Sequence, residues 1–160
     1  MIVSSKYPLS HQEFNEIYSK VPRLTVEVLF YDEEKGVFLT ERAIAPFKGV
    51  WHLPGGTVFL GESLVSAVKR VAKKEVNVDV SKCHLVGFIE YPSLHEKGQG
   101  YPVGMVFKVD EYSGIPVAAE DEASDGKWFS SVPEKIHGDQ DTYLLSHGYL
   151  SGRSVIKTTA

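Results

Sequence analysis

The chain has 160 residues, 42% of them hydrophobic and 24% charged, which suits one globular domain with its own core and excludes a disordered chain. A formal net charge of −4 speaks against a nucleic-acid partner, and no apolar run has the length of a membrane span. A single cysteine, Cys83, rules out an intrachain disulfide; with no signal-peptide pattern in MIVSSKYPLS, a cytoplasmic location is expected.

SHQEFNEIYSK carries a capping-box spelling, Ser10 followed by Glu13, with Phe14, Ile17 and Tyr18 at helical spacing, so a short helix is expected over residues 11–19. RLTVEVLFYD alternates around Val26, Val28 and Phe30 and reads as a strand; EEKG is a turn, and VFLTER is its hairpin partner. Pro46, Gly49 and Pro54 mark the following stretch as mostly loop, with a short strand at TVF. Ser63 caps a helix that runs to about Val76, with Leu64, Val68, Val71 and Ala72 on one stripe. HLVGFIEYP and YPVGMVFKVD read as paired strands around a flexible SLHEKGQG loop. The acidic AAEDEASDG precedes a short strand at KWFS, and DQDTYLLSH closes the chain as a helix before a loosely held tail. The expected division is 1–22 as N-terminal helix and lead-in, 23–148 as the domain, and 149–160 as the tail. Strands and helices in this order give an α/β domain with a mixed β-sheet.

One stretch carries chemistry. In PGGTVFLGESLVSAVKRVAKKEVNV, Gly56, Glu62 and Arg70 fall at the spacings that open the Nudix box, and WHLPGG, Arg42 and Trp128 are also family-like. Over residues 23–130 the sequence resembles the Nudix hydrolases, which implies a Nudix-type α/β/α sandwich and a divalent cation held against a diphosphate. The box is degenerate. Two of the three expected glutamates are replaced, by Val71 and Lys74; Glu75 stands, and the expected glycine is Asn77. Positions 71, 74 and 75 share a helix face, and three carboxylates there would hold several hard cations. A valine, an ammonium and one carboxylate speak against the multi-metal arrangement and leave a single-metal site open.

The degraded spelling resembles the GDP-mannose mannosyl hydrolase branch, which keeps the arginine and only the last glutamate. That resemblance implies Mg²⁺, with Mn²⁺ as a substitute, held by the Gly55 carbonyl, Glu75 and a loop residue. Glu122 is assigned that place ahead of Glu120 and Asp121. Arg42 would bind the diphosphate and stabilise the leaving group. The branch places a histidine after the loop ligand where this chain has Ala123, so Asp125 or His95 is the substitute base. Tyr91, His95 and Tyr101 are expected to line the base or sugar pocket. Glu62 and Arg70 read as a structural brace, Val71 and Trp128 as core, and His52 as packed beside Trp51.

The implied activity is hydrolysis of a nucleotide sugar to sugar and nucleoside diphosphate. Cleavage at phosphorus, as for ADP-ribose, and a catalytically silent nucleotide-binding domain both stay open. The expected partner is the small-molecule substrate, with no nucleic acid or membrane; a homodimer follows by family analogy, with the N-terminal helix as a contributor.

Overall fold

The computed structural model describes residues 7–119 and 123–152. Four helices are seen: α1 (His11–Tyr18), α2 (Leu64–Val76), α3 (Pro92–Glu96) and α4 (Gly138–Ser146). The strands are β1 (Arg23–Leu29), β2 (Tyr31–Asp32), β3 (Gly36–Arg42), β4 (Trp51–His52), β5 (Gly55–Thr57), β6 (Asp79–Glu90), β7 (Pro102–Ser113) and β8 (Ala123–Phe129). One sheet has the order β5-β1-β7-β6 and is mixed, because β1 and β7 run parallel while β1·β5 and β6·β7 are antiparallel. A second, antiparallel sheet joins β2, β3 and β4, with β8 on β3. This is the α/β arrangement with a mixed sheet that the pattern predicts.

Most elements form where their residues direct. Ser10 and Glu13 make the reciprocal capping box of α1. Ser63 caps α2, accepting from the Ser66 N–H at 3.1 Å. Asn77 ends α2 in the left-handed region at φ 55°, which asparagine tolerates better than most side chains.

Three expectations need correction. The hairpin partner of β3 is the short β2, while β1 belongs to the other sheet. The SLHEKGQG loop contains α3, begun by Pro92 at a position where a missing N–H costs nothing. Residues 149–152 of the expected tail are packed, with Leu150 buried and Ser151 bridging to Ser131, while 153–160 lie outside the described residues.

Strand β1 is covered on both faces, so its burial is continuous rather than alternating. Val26 and Val28 pack with Val68, Val71, Ala72 and Val76 of α2 in one core. Leu29, on the other face, joins Leu39, Trp51, Leu53, Val106 and Leu144 in a second core beneath α4. Thr25 and Glu27 share that second face.

The loop before α2 is braced as expected. Arg70 grips Glu62 through Nε at 2.8 Å and Nη2 at 2.9 Å, and Nη2 also donates to the Thr57 carbonyl at 2.8 Å. Its guanidinium stacks 3.7 Å from the centroid of the Phe59 ring. Burial alone would raise the Glu62 carboxyl, but Arg70 and the Phe59 N–H outweigh it and hold it below the ordinary range. The Glu62 side chain is only 2% exposed, so removing Arg70 strands a buried charge. We predict that Arg70→Met loses about 3 kcal/mol in urea unfolding and that Glu62→Gln in the same chain restores part of it. A loss below about 0.5 kcal/mol, the size expected of an exposed pair, would contradict the brace.

Candidate active site

A cavity of about 350 Å³ opens between the two sheets and α4. Its walls bring together Glu27 of β1, Arg42 at the end of β3, His52 of β4, Gly55 and Gly56 of β5, Glu75 of α2, Tyr91 beside α3, and His137 and Gln140 at the start of α4.

The β5 glycines shape this space. A side chain at Gly56 would meet Val71 Cγ2 at 3.1 Å, so glycine there lets α2 close on the sheet. A side chain at Gly55 would run into the Glu27 carboxylate on the opposite face. Gly55 also donates its N–H to Glu75 Oε2 at 2.8 Å. The box glutamate is therefore docked on the glycine that the sequence pairs it with. Val71 is core, 3% exposed, and supplies no ligand.

Glu27 sits on the cavity floor, 6% exposed. It is held by a chain of hydrogen bonds. The Tyr91 hydroxyl donates to its Oε1 at 2.7 Å, and the Thr25 hydroxyl donates at 3.3 Å. Gln140 Nε2 donates to the Tyr91 hydroxyl at 3.0 Å, and Gln140 Oε1 accepts from the Leu53 N–H at 2.7 Å. The Leu53 N–H fixes which end of the Gln140 amide is oxygen. Gly104 of β7, on the other side of β1 from Gly55, leaves room for the same carboxylate. Burial pushes Glu27 up to about 7, against the lowering effects of Tyr91, Arg23 and Thr25. Burial likewise raises Tyr91 well above its ordinary value, and Glu27 beside it raises it further.

Of the residues expected at the site, Arg42, Gly55, Glu75 and Tyr91 line the cavity. Arg42 Nε is steered by a hydrogen bond to the Pro46 carbonyl. Tyr91, directly before α3, reaches Glu27 on the cavity floor with its hydroxyl. Asp125 does not line the cavity; on β8 it pairs opposite Glu41, accepts from the Gly126 N–H at 2.8 Å and meets Lys127 Nζ at 3.4 Å. His95 is exposed on α3, edge-on to Tyr101, and the Tyr101 hydroxyl donates to Glu90 at 2.7 Å; neither ring lines the cavity. Glu122, with Glu120 and Asp121, lies outside the described residues.

Sequence reasoning passed over Glu27, His137 and Gln140. Glu27 had a signal: a lone carboxylate inside the apolar TVEVLF strand, where a buried charge needs a reason. Gln140 and His137 had none, because only the tertiary fold brings α4 to β1.

Among the described residues, no cluster of three or more His, Cys, Asp or Glu side chains is placed to hold a metal. Glu75 and the Gly55 backbone supply hard oxygen donors at one edge of the cavity. Hard oxygen donors of this kind suit a divalent cation completed by water and a ligand's phosphates.

The buried acid sets a pH dependence in the ligand-free protein. The folded value near 7 exceeds the ordinary 4.5, so Glu27 favours folding below about 4.5 and loses that contribution as pH rises through 7. At pH 8 the ionised form costs on the order of 3 kcal/mol. Glu27→Gln should then melt several degrees above the wild type at pH 8 and level with it at pH 4.5. An equal difference at both pH values, in calorimetric scans, would contradict this.

The fold and these residues were compared with known proteins. A 39% identical stretch of 79 residues covers 49% of this chain and 50% of the low-salt glycan biosynthesis protein Agl8 of Haloferax volcanii. An ADP-ribose pyrophosphatase of Methanocaldococcus jannaschii is 32% identical over 108 residues, covering 68% of this chain and 62% of that protein. The chain thus spans less than two thirds of either relative. The crystal structure of a MutT NUDIX hydrolase from Burkholderia pseudomallei shares the fold with a TM-score of 0.67 at 24% identity, covering 74% of this chain and 92% of that one. No helix among the described residues is long and apolar enough to cross a membrane. The NUDIX domain model matches residues 21–136, most of the chain and all of β1 to β8, and the chain belongs to the NUDIX family.

Proposed function

We propose that this protein hydrolyses a nucleoside-diphosphate-linked compound, a nucleotide sugar first of all, with one divalent cation, Mg²⁺ or Mn²⁺. The observation that carries this reading is the docking of Glu75 on the Gly55 N–H at the edge of a cavity that also holds Arg42. The named relatives support it from two sides, one a pyrophosphatase of ADP-ribose and one a glycan biosynthesis protein.

The residues divide the work by charge. Glu75 and the Gly55 carbonyl hold the cation, with Glu122 proposed as the third ligand. The bound cation supplies Lewis-acid neutralisation of the diphosphate. Arg42, at the end of β3, supplies a guanidinium for the charge that the leaving diphosphate gathers. Glu27 and Tyr91 at the floor present a carboxyl and a hydroxyl to the polar end of the substrate. A sugar ring offers hydroxyls to match them. The one-carboxylate box favours attack at the sugar carbon, because departure of an intact diphosphate needs charge neutralised on the leaving group and no multi-metal clamp at phosphorus. The substrate of the Methanocaldococcus relative keeps cleavage at phosphorus as the second reading.

Phosphorus NMR of products from GDP-mannose, other nucleotide sugars and ADP-ribose with Mg²⁺ separates the readings. An intact nucleoside diphosphate is expected. A nucleoside monophosphate with a sugar phosphate would put the attack at phosphorus. Glu75→Gln keeps an oxygen for the Gly55 N–H, so its melting temperature should stay within a few degrees of the wild type while Mg²⁺-dependent turnover falls at least about 100-fold. Undiminished turnover in that variant would remove Glu75 from the site.

A further inference from the structure

Hydrolysis requires a group that takes a proton from the attacking water, and neither Asp125 nor His95 lines the cavity. Two histidines do, His52 and His137, and their hydrogen bonds give them opposite roles. His52 Nδ1 lies 2.8 Å from the Leu53 carbonyl oxygen, which can only accept, so the ring proton is on Nδ1. The Nε2 lone pair is left bare. His137 is the reverse case. Its Nδ1 accepts from the Asp139 N–H at 3.4 Å as the cap of α4, so the neutral ring carries its proton on Nε2 and offers a donor.

The position of His52 also fits. His52 pairs with Thr40 across β3·β4, so the two side chains project from one face of the sheet. Arg42, two residues along β3, shares that face and lines the same cavity. Trp51 points to the other face, where it packs in the second core and meets Phe129 edge-on. The expectation that His52 packs beside Trp51 is thereby corrected. The anchor of the ring is itself fixed: Leu53 is 1% exposed, and its N–H is tied to Gln140.

We propose that His52 Nε2 is the general base of this site, accepting the proton of the attacking water. The inference rests on the hydrolytic reading above. In the step, the water oxygen bonds to the electrophilic carbon while the carbon–oxygen bond to the diphosphate breaks. The bonding pair leaves with the diphosphate, and the water proton passes to Nε2. The groups that act on the ring are Arg42 from β3 and His137 from α4, with the Leu53 carbonyl behind it. Burial, then Arg42 and His137, lower the affinity of the ring for a second proton against the opposing pull of the Leu53 carbonyl, which keeps it neutral and basic at pH 7.

Long-range proton–nitrogen NMR of protein labelled with ¹⁵N-histidine reads the tautomer without any substrate. The Nδ1–H form of His52 is expected, against the Nε2–H form that free histidine favours; an Nε2–H signal would overturn the proposal. The kinetic test compares the wild type with His52→Gln on the nucleotide-sugar panel, with folding of both checked by circular dichroism. Loss of about 10²–10⁴-fold in kcat with little change in KM is expected. A kcat undiminished in His52→Gln would overturn the role of His52 and leave the hydrolase reading intact. No turnover by the wild type on any substrate would overturn that reading and the base with it. The wild-type tautomer decides the matter even where His52→Gln does not fold.

Discussion

Two missing side chains, at Gly55 and Gly56, make the rest of this structure possible. Strand β5 lies against β1 with a different neighbour on each face. On one face Gly56 lets Val71 of α2 close onto the sheet. On the other, Gly55 leaves the space that the Glu27 carboxylate occupies. The close approach of α2 carries Glu75 to the edge of β5, where the Gly55 N–H meets it. A methyl group at Gly55 would displace the Glu27 carboxylate, and one at Gly56 would press on the Val71 side chain.

Around that hinge of backbone the site is built from buried polar groups, and these are expensive unless they are satisfied. Glu27, Tyr91, Gln140 and the Leu53 N–H satisfy one another in a single chain that ties β1, α3, α4 and β4 together. No buried side-chain nitrogen or oxygen among the described residues lacks a partner. The carboxyl near 7 is the cost that remains, carried by burial that its hydrogen bonds only partly offset. A polar floor of this kind gives the cavity fixed directions for hydrogen bonding, which suits a ligand rich in hydroxyls.

Much of this was legible in the residues, and the reasons differ by element. α1 and α2 announced themselves through Ser10, Glu13 and Ser63, because capping is local chemistry. The mixed-sheet α/β fold followed from the order of elements. Glu75 was named from the box spacing and Gly55 and Arg42 from the family resemblance, and all three line the cavity. α3 was hidden inside a loop-like spelling. β1 and β3 were expected as one hairpin because their separation into two sheets depends on β5 and β7, which are distant in sequence. Asp125 was named for its nearness to the loop ligand and His95 for its place on the loop before β7, and both have other partners. Glu27 was visible as a charge in an apolar strand, yet its partners come from residues 91 and 140, which no spacing rule connects.

In the proposed site one carboxylate, docked on one glycine, holds one cation. Titration of the ligand-free protein with Mn²⁺, followed by electron paramagnetic resonance, tests it without any substrate. A single site per chain that is lost in Glu75→Gln is the predicted result. Two or more sites per chain, or Mn²⁺ binding unchanged by Glu75→Gln, would contradict the account.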